Sequence, residues 1–347
     1  MMITTMSTVF RKALRKVTIA GVAMVMLASP AGAQDVTIEQ VMIPGPSLEG
    51  NLEGNAATRD IIVYLPPSYE ADEERRYPVV YALHGYSSNN DAFRGDLART
   101  DAVATAFAAG AQEMIVVMPD AQTLHNGSMY TASVTTGDWE SYIAEDVVAY
   151  VDENYRTIPA REARGLAGHS MGGYGTLRIG MKRPDVFAAL YAMSPCCLEP
   201  SRGVDPAMLK KLRAFEDPAD TLELGFFERA TLASAAAWSP NPENPPFYFD
   251  LPGDEDAVTD PVARWTANAP LAMADQYRSA LMTYEAIAID IGDEDWLLPG
   301  AKKMDEWLTL NGIEHEFEIY EGDHVNRVSE QFRDKVLPFF SDALRTE

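Results

Sequence analysis

The stretch "ARGLAGHSMGGYGTLRIGMKRP", residues 163–184, constrains the fold more than any other. A strand-like segment over 163–170 runs into Gly168-His169-Ser170-Met171-Gly172, and a helical pattern follows over 172–184. A G-x-S-x-G sequence at a strand-to-helix turn mounts its serine on a sharp, strained bend that needs small residues two positions to either side. Gly168 and Gly172 meet that need, so Ser170 reads as a nucleophile.

The surrounding chain has the rhythm such a turn belongs to. Residues 35–43 and 59–66 are β-rich and separated by Gly, Pro and Asn, which predicts antiparallel edge strands. "YPVVYALHG" (77–85), "EMIVVMPD" (113–120), "VFAALYAMS" (186–194), "YEAIAIDIG" (284–292) and "HEFEIYEG" (315–322) follow as strands. Helical periodicity fills the gaps at 97–110, 138–155, 300–312 and 328–345. Apolar strands alternating with amphipathic helices predict an α/β fold: a mostly parallel sheet with helices on both faces. Ligands bind such sheets at the carboxyl ends of the strands, and Gly85, Asp120, Ser170, Asp295 and His324 all fall there. Residues 195–283 break the rhythm and read as a cap inserted between strands 6 and 7. Their acids Asp250, Asp254, Glu255, Asp256 and Asp260 lack EF-hand spacing, so no metal is expected and a solvated loop is.

At the N-terminus, Arg11, Lys12, Arg15 and Lys16 precede the apolar run 17–28 and Ala31-Gly32-Ala33. These are the parts of a secretory signal peptide, 1–33, which leaves one catalytic domain over 34–347 and a periplasmic or secreted protein without stable membrane insertion. Removing those four bases takes the formal net charge from -24 to -28, which excludes nucleic acid as a partner. The two cysteines, Cys196 and Cys197, are adjacent and cannot build a disulfide framework.

A serine nucleophile needs a base, and a third group to orient that base. Of the five histidines, His169 lies within the turn and is expected to point away, while His84, His125 and His315 end a strand, sit in a loop and begin a strand. His324, in "YEGDHVNRV" after the last strand, stands where the fold requires the base. The acid falls in "IDIGDEDWLL", where position alone leaves Asp293, Glu294 and Asp295 open; the order serine, acid, histidine is that of the α/β-hydrolase fold. Two backbone N–H donors must hold the oxyanion. One is Met171, at a helix N-terminus, and the other is Gly85 or Tyr86 in "HGYSSN". Tyr86, Met129, Tyr130 and Trp296 are candidates for lining a substrate pocket.

These residues carry a resemblance. "YPVVYALHGY", "DWESYIAEDVVAYVDENYRT", "GLAGHSMGGYGTL", "IDIGDEDWLLPGAKKMDEWLTLNGIEHEFEIYEGDH" and "VLPFF" are similar to segments of one esterase branch of the α/β-hydrolases. That branch includes esterase D, S-formylglutathione hydrolase, feruloyl and acetyl xylan esterases, and the mycolyltransferases. The resemblance implies an α/β-hydrolase fold with a Ser-His-Asp triad and no cofactor. Its G-x-x-D-x-L segment maps the acid onto Asp295, and its oxyanion residue after the HG pair maps onto Tyr86. The expectation is an exported serine carboxylesterase acting on small-molecule or carbohydrate-linked esters, feruloyl-type esters among them. The rivals are an acyltransferase with the same triad and a non-catalytic binding protein on the same scaffold.

Overall fold

The computed structural model describes residues 36–347 apart from positions 100, 201, 202, 255, 256 and 258. The expected signal peptide, 1–33, lies outside the described residues. Eight strands form the main sheet: β1 (Thr37–Pro44), β2 (Thr58–Leu65), β3 (Val79–Leu83), β4 (Ile115–Pro119), β5 (Arg164–His169), β6 (Ala189–Met193), β7 (Ala286–Gly292) and β8 (Glu316–Tyr320). Their order is β1-β2-β4-β3-β5-β6-β7-β8. β1 pairs antiparallel with β2 and β2 antiparallel with β4, whereas every pairing from β4 to β8 is parallel. β2 therefore lies inside the sheet, paired on both sides, and only β1 is the expected edge strand.

Period-two alternation builds two cores from one sheet. Val79, Tyr81 and Leu83 of β3 enter one buried cluster, and Val80 and Ala82 enter the other. The first face is covered by the helical run Trp139–Asn154, which includes a π-helical stretch Tyr142–Val147, and by Met171–Lys182, Pro270–Leu281 and Leu298–Leu310. The second is covered by Asn90–Ala98, Ala102–Ala108 and the C-terminal helical run from Val328 to Ala343. Central strands covered on both faces carry apolar side chains almost throughout, which is why β3 and β4 read as unbroken apolar runs.

Between β6 and β7 the chain forms helices Pro206–Leu212, Phe226–Trp238 and Pro261–Ala267 before Pro270–Leu281. The last of these packs on Met171–Lys182 and serves as the ordinary crossover helix, so the strand–helix rhythm resumes before residue 283. The acids of the segment hold its own turns together. Asp250 accepts from Asn241 at 2.7 Å, Asp254 from Arg213 at 2.8 Å, and Asp260 caps the helix that follows by accepting from Val262 N–H at 2.9 Å.

The helix after β5 crosses β3 with no room for a side chain between them. A Cβ built on Gly172 would stand 2.1 Å from the Leu83 carbonyl oxygen, and one on Gly168 would stand 2.4 Å from the Gly172 carbonyl. Deeper in β7, Asp290 is fully buried and accepts from Tyr191 Oη at 3.1 Å and Gln331 Nε2 at 3.2 Å. Burial pushes its carboxyl up to about 7.

Two predictions come from these contacts. Gly172→Ala is expected to destabilise the fold by about 3 kcal/mol in urea denaturation, because the obstacle is backbone that cannot rotate away. Gly95→Ala, whose Cβ would meet nothing within 4 Å, is the control and should not destabilise. For Asp290, the native carboxyl binds its proton more tightly than the unfolded one, so this group lowers stability as pH rises from about 4 to about 7. Asp290→Asn should remove that part of the slope relative to wild type; parallel stability–pH curves for the two proteins would refute the assignment.

Candidate active site

Ser170 sits at the end of β5 with φ 58° and ψ -110°, a backbone conformation rarely adopted by a residue with a side chain. Its N–H donates to the Met193 carbonyl at 2.9 Å, and its carbonyl accepts from Cys196 and Tyr174 N–H at 3.1 and 3.0 Å, so the bend is fixed from three sides. Strain of this kind persists only where surrounding contacts over-determine it.

The bend aims the hydroxyl at His324. Ser170 Oγ lies 2.9 Å from His324 Nε2, and His324 Nδ1 lies 2.7 Å from Asp295 Oδ2. A carboxylate only accepts, so the Asp295 contact puts the ring proton on Nδ1 and leaves Nε2 free to accept from Ser170. Asp295 also accepts from Leu297 N–H at 2.9 Å. Burial alone raises its carboxyl, but the His324 hydrogen bond and this backbone donor outweigh burial and hold it below the usual carboxylate range. Of the three acids left open by position, Asp293 accepts from Gly322 N–H at 3.0 Å and ties β7 to the loop after β8. Glu294 is exposed; Asp295 alone of the three meets the histidine.

Both expected oxyanion donors lie next to Ser170, one in sequence and one across the strand ends. Met171 opens the helix Met171–Lys182, and the Gly85–Tyr86 turn approaches closely enough that a Cβ on Gly85 would stand 3.5 Å from Ser170 Cβ. Among the described residues, neither Met171 N–H nor Tyr86 N–H donates to a protein acceptor. His84 braces this turn: its Nδ1 faces the Gly85 carbonyl at 2.9 Å, and its Nε2 accepts from Ala121 N–H at 2.9 Å. The Tyr86 hydroxyl donates to the His125 carbonyl at 2.9 Å.

Not every candidate reaches the surface. Tyr130 is completely buried with its hydroxyl on the His84 carbonyl at 3.1 Å, and Met129 is 3% exposed. Both support the site from beneath, which corrects their reading as pocket lining; in sequence a buried aromatic and a pocket aromatic look alike. Trp296 is 67% exposed with its ring 4.5 Å from that of His324. His315 bonds Asp305 at 3.0 Å and is structural. Cys196 and Cys197 are free thiols with sulfurs 2.8 Å apart. The hydrogen bond between them and then burial hold the Cys196 thiol protonated, which leaves it inert as a nucleophile.

His169 does not point away as expected. Its Nε2 lies 2.8 Å from the carbonyl oxygen of His324 and donates to it, which holds the base's backbone against the turn that carries the serine. Burial, then the neighbouring His324, pushes its pKa down to about 4, so near neutral pH it is uncharged and adds no repulsion when His324 gains a proton. His169→Phe, which deletes the donor, is expected to slow covalent labelling of Ser170 by a fluorophosphonate about fivefold, the worth of one net hydrogen bond. His169→Gln should recover part of the rate. Wild-type labelling by His169→Phe would mean that the contact positions nothing.

The chain matches the family model described as "Putative esterase" over residues 56–337. It is 26% identical over 276 residues to the esterase Rv1288 of Mycobacterium tuberculosis, with 76% of this chain and 52% of that relative covered. The chain thus spans about half the length of such curated relatives. A solved ferulic acid esterase aligns with TM-score 0.64 at 24% identity, covering 91% of this chain and all of that one. An S-formylglutathione hydrolase from Staphylococcus aureus aligns with TM-score 0.60 at 17% identity, covering 88% of this chain and 99% of that one. Both likenesses are of fold, and the mostly parallel sheet with helices on both faces is an α/β-hydrolase fold. By its family match and its fold together, this chain belongs to the esterase family.

Proposed function

We propose that the protein is a serine carboxylesterase working through a covalent acyl-enzyme. The observation that carries the reading is the hydrogen-bonded line from Ser170 through His324 to Asp295, at 2.9 and 2.7 Å, beside the backbone N–H groups of Met171 and Tyr86, which among the described residues have no protein acceptor. Ser170 Oγ attacks the ester carbonyl carbon while His324 Nε2 takes its proton. The carbonyl oxygen becomes an oxyanion, held by the N–H groups of Met171 and Tyr86 and by the N-terminal end of the helix that Met171 opens. Asp295 keeps the imidazole oriented and balances its charge. Collapse of the tetrahedral intermediate expels the alcohol, which leaves with the proton from His324. Water then repeats the sequence: His324 takes its proton, hydroxide adds to the acyl carbon, and the acid departs as Ser170 regains its hydrogen.

The family and its relatives supply the class of bond. Ferulic acid esterase among the structural neighbours supports an ester of an aromatic acid on a carbohydrate as substrate. The exposed Trp296 beside the base fits that reading, since a sugar ring stacks readily on an indole face. Export after removal of residues 1–33 would bring the enzyme to such esters outside the cytoplasm. The segment between β6 and β7 acts as a cap in this reading. Phe226 packs on Tyr86, and Arg229 donates to the Leu124 carbonyl at 2.6 Å, so the segment reaches the loops after β3 and β4.

Hydrolysis of p-nitrophenyl acetate and of methyl ferulate is the test. Wild type should turn over at least the first. Ser170→Ala and Asp295→Asn should each lose about 10³-fold or more in kcat, with Ser170→Ala also losing fluorophosphonate labelling. Equal turnover by wild type and Ser170→Ala would place the chemistry elsewhere.

A further inference from the structure

Helix Phe226–Trp238 begins with two aromatic residues that the fold leaves in solvent. Phe226 is 53% exposed and Phe227 69%, although the same helix buries Leu232 through Trp238 completely or nearly so. The helix starts on Gly225 without a side-chain cap, so these two positions serve neither capping nor the core. Their rings form a row with Tyr86. Tyr86 and Phe226 meet edge to face at 5.1 Å between centroids, and Phe226 and Phe227 do the same at 5.3 Å.

The row is held in place rather than draped over the surface. Arg229, one turn into the helix, donates to the Leu124 carbonyl at 2.6 Å, and Tyr86 Oη donates to the adjacent His125 carbonyl at 2.9 Å. The two ends of the Tyr86–Phe226 contact are therefore anchored on neighbouring residues of one loop. Gly127 of that loop fits between Tyr86 and Met171, where a Cβ would stand 2.7 Å from the Tyr86 ring and from the Met171 sulfur.

We propose that Tyr86, Phe226 and Phe227 form the acyl-binding platform of the enzyme and select esters with an extended apolar acyl group. The proposal rests on the serine-esterase reading above. Its argument is stereochemical. The leaving oxygen has to lie at His324 Nε2 to receive its proton, so the alcohol half of the ester belongs to the side of His324 and Trp296. The row is joined instead to the oxyanion side, through the residue whose N–H holds the oxyanion, which leaves the acyl half to lie along it. An apolar chain on that surface takes water off three aromatic rings at once, and such burial is the driving force available there. The cation beside the row, Arg229, is tied to the Leu124 carbonyl, and the three rings themselves offer an acyl chain apolar burial.

The test is the ratio of kcat/KM for p-nitrophenyl octanoate to that for p-nitrophenyl acetate, in wild type and in the double variant Phe226→Ala/Phe227→Ala. The ratio is expected to fall about tenfold in the variant, mainly through KM for the octanoate. An unchanged ratio overturns the proposal, as does loss of activity by the same factor on both esters. A second measurement is independent of turnover: calorimetric binding of octanamide to Ser170→Ala, with and without the two Phe substitutions. If wild type hydrolyses no ester, the esterase reading falls, and octanamide affinity alone decides the platform. Affinity that depends on Phe226 and Phe227 upholds it, and affinity that does not overturns it. Phe-dependent sedimentation with phosphatidylcholine vesicles, together with an unchanged ester ratio, would assign the patch to a lipid surface and overturn the acyl assignment.

Discussion

The close passage of Gly172 beneath the Leu83 carbonyl is the constraint on which the site depends. It allows the helix after β5 to start immediately above the sheet, with no room between them for a side chain on that residue. With the helix so placed, Ser170 has to turn through a left-handed backbone conformation at φ 58° and project its hydroxyl beyond the strand ends. The same start of the helix frees the Met171 N–H beside it. The proposed nucleophile and the proposed oxyanion donor are thus two consequences of one packing contact, and neither requires a residue unusual in its own chemistry.

Around that bend, three histidines are assigned different work by burial and by what each ring nitrogen meets. His324, with a carboxylate on Nδ1, keeps Nε2 available to the serine. His169 lies next to it but is desolvated into its neutral form, and its one strong contact is spent on the His324 backbone. His84 is likewise held neutral by burial and braces the Gly85–Tyr86 turn against the end of β4. Neutral neighbours matter here because a second cation beside His324 would oppose the proton it has to accept.

The chain between β6 and β7 shows how an ordinary connection can be elaborated without disturbing the sheet. Its last helix, Pro270–Leu281, does the work any parallel crossover needs by covering Met171–Lys182. The helices before it are free to take other roles, and their acids close local turns and caps. The aromatic start of Phe226–Trp238 stands out against this background. It is apolar surface left uncovered beside Tyr86, in a chain whose formal net charge is -24.

Much of this was legible in the order of the residues. Apolar runs bounded by glycine marked the strands, because a strand covered on both faces has to be apolar along its length. Gly168 and Gly172 about Ser170 marked the bend, because no larger residue fits there. His324 followed from topology, being the one histidine after the last strand. Position alone left Asp293, Glu294 and Asp295 open and the resemblance chose Asp295; the physical reason is tertiary, since the loop after β7 brings only the Asp295 carboxylate to His324. Two things were decided by tertiary contact alone. Met129 and Tyr130 went to the core while Trp296 stayed in solvent, since apolarity gives a preference for burial without saying which residues the packing will have room for. Phe226, with Phe227 packed on it, met Tyr86 from 140 positions away along the chain. Periodicity and motif spacing describe neighbours in sequence, and contact across that distance exists only once the sheet has brought the loops together.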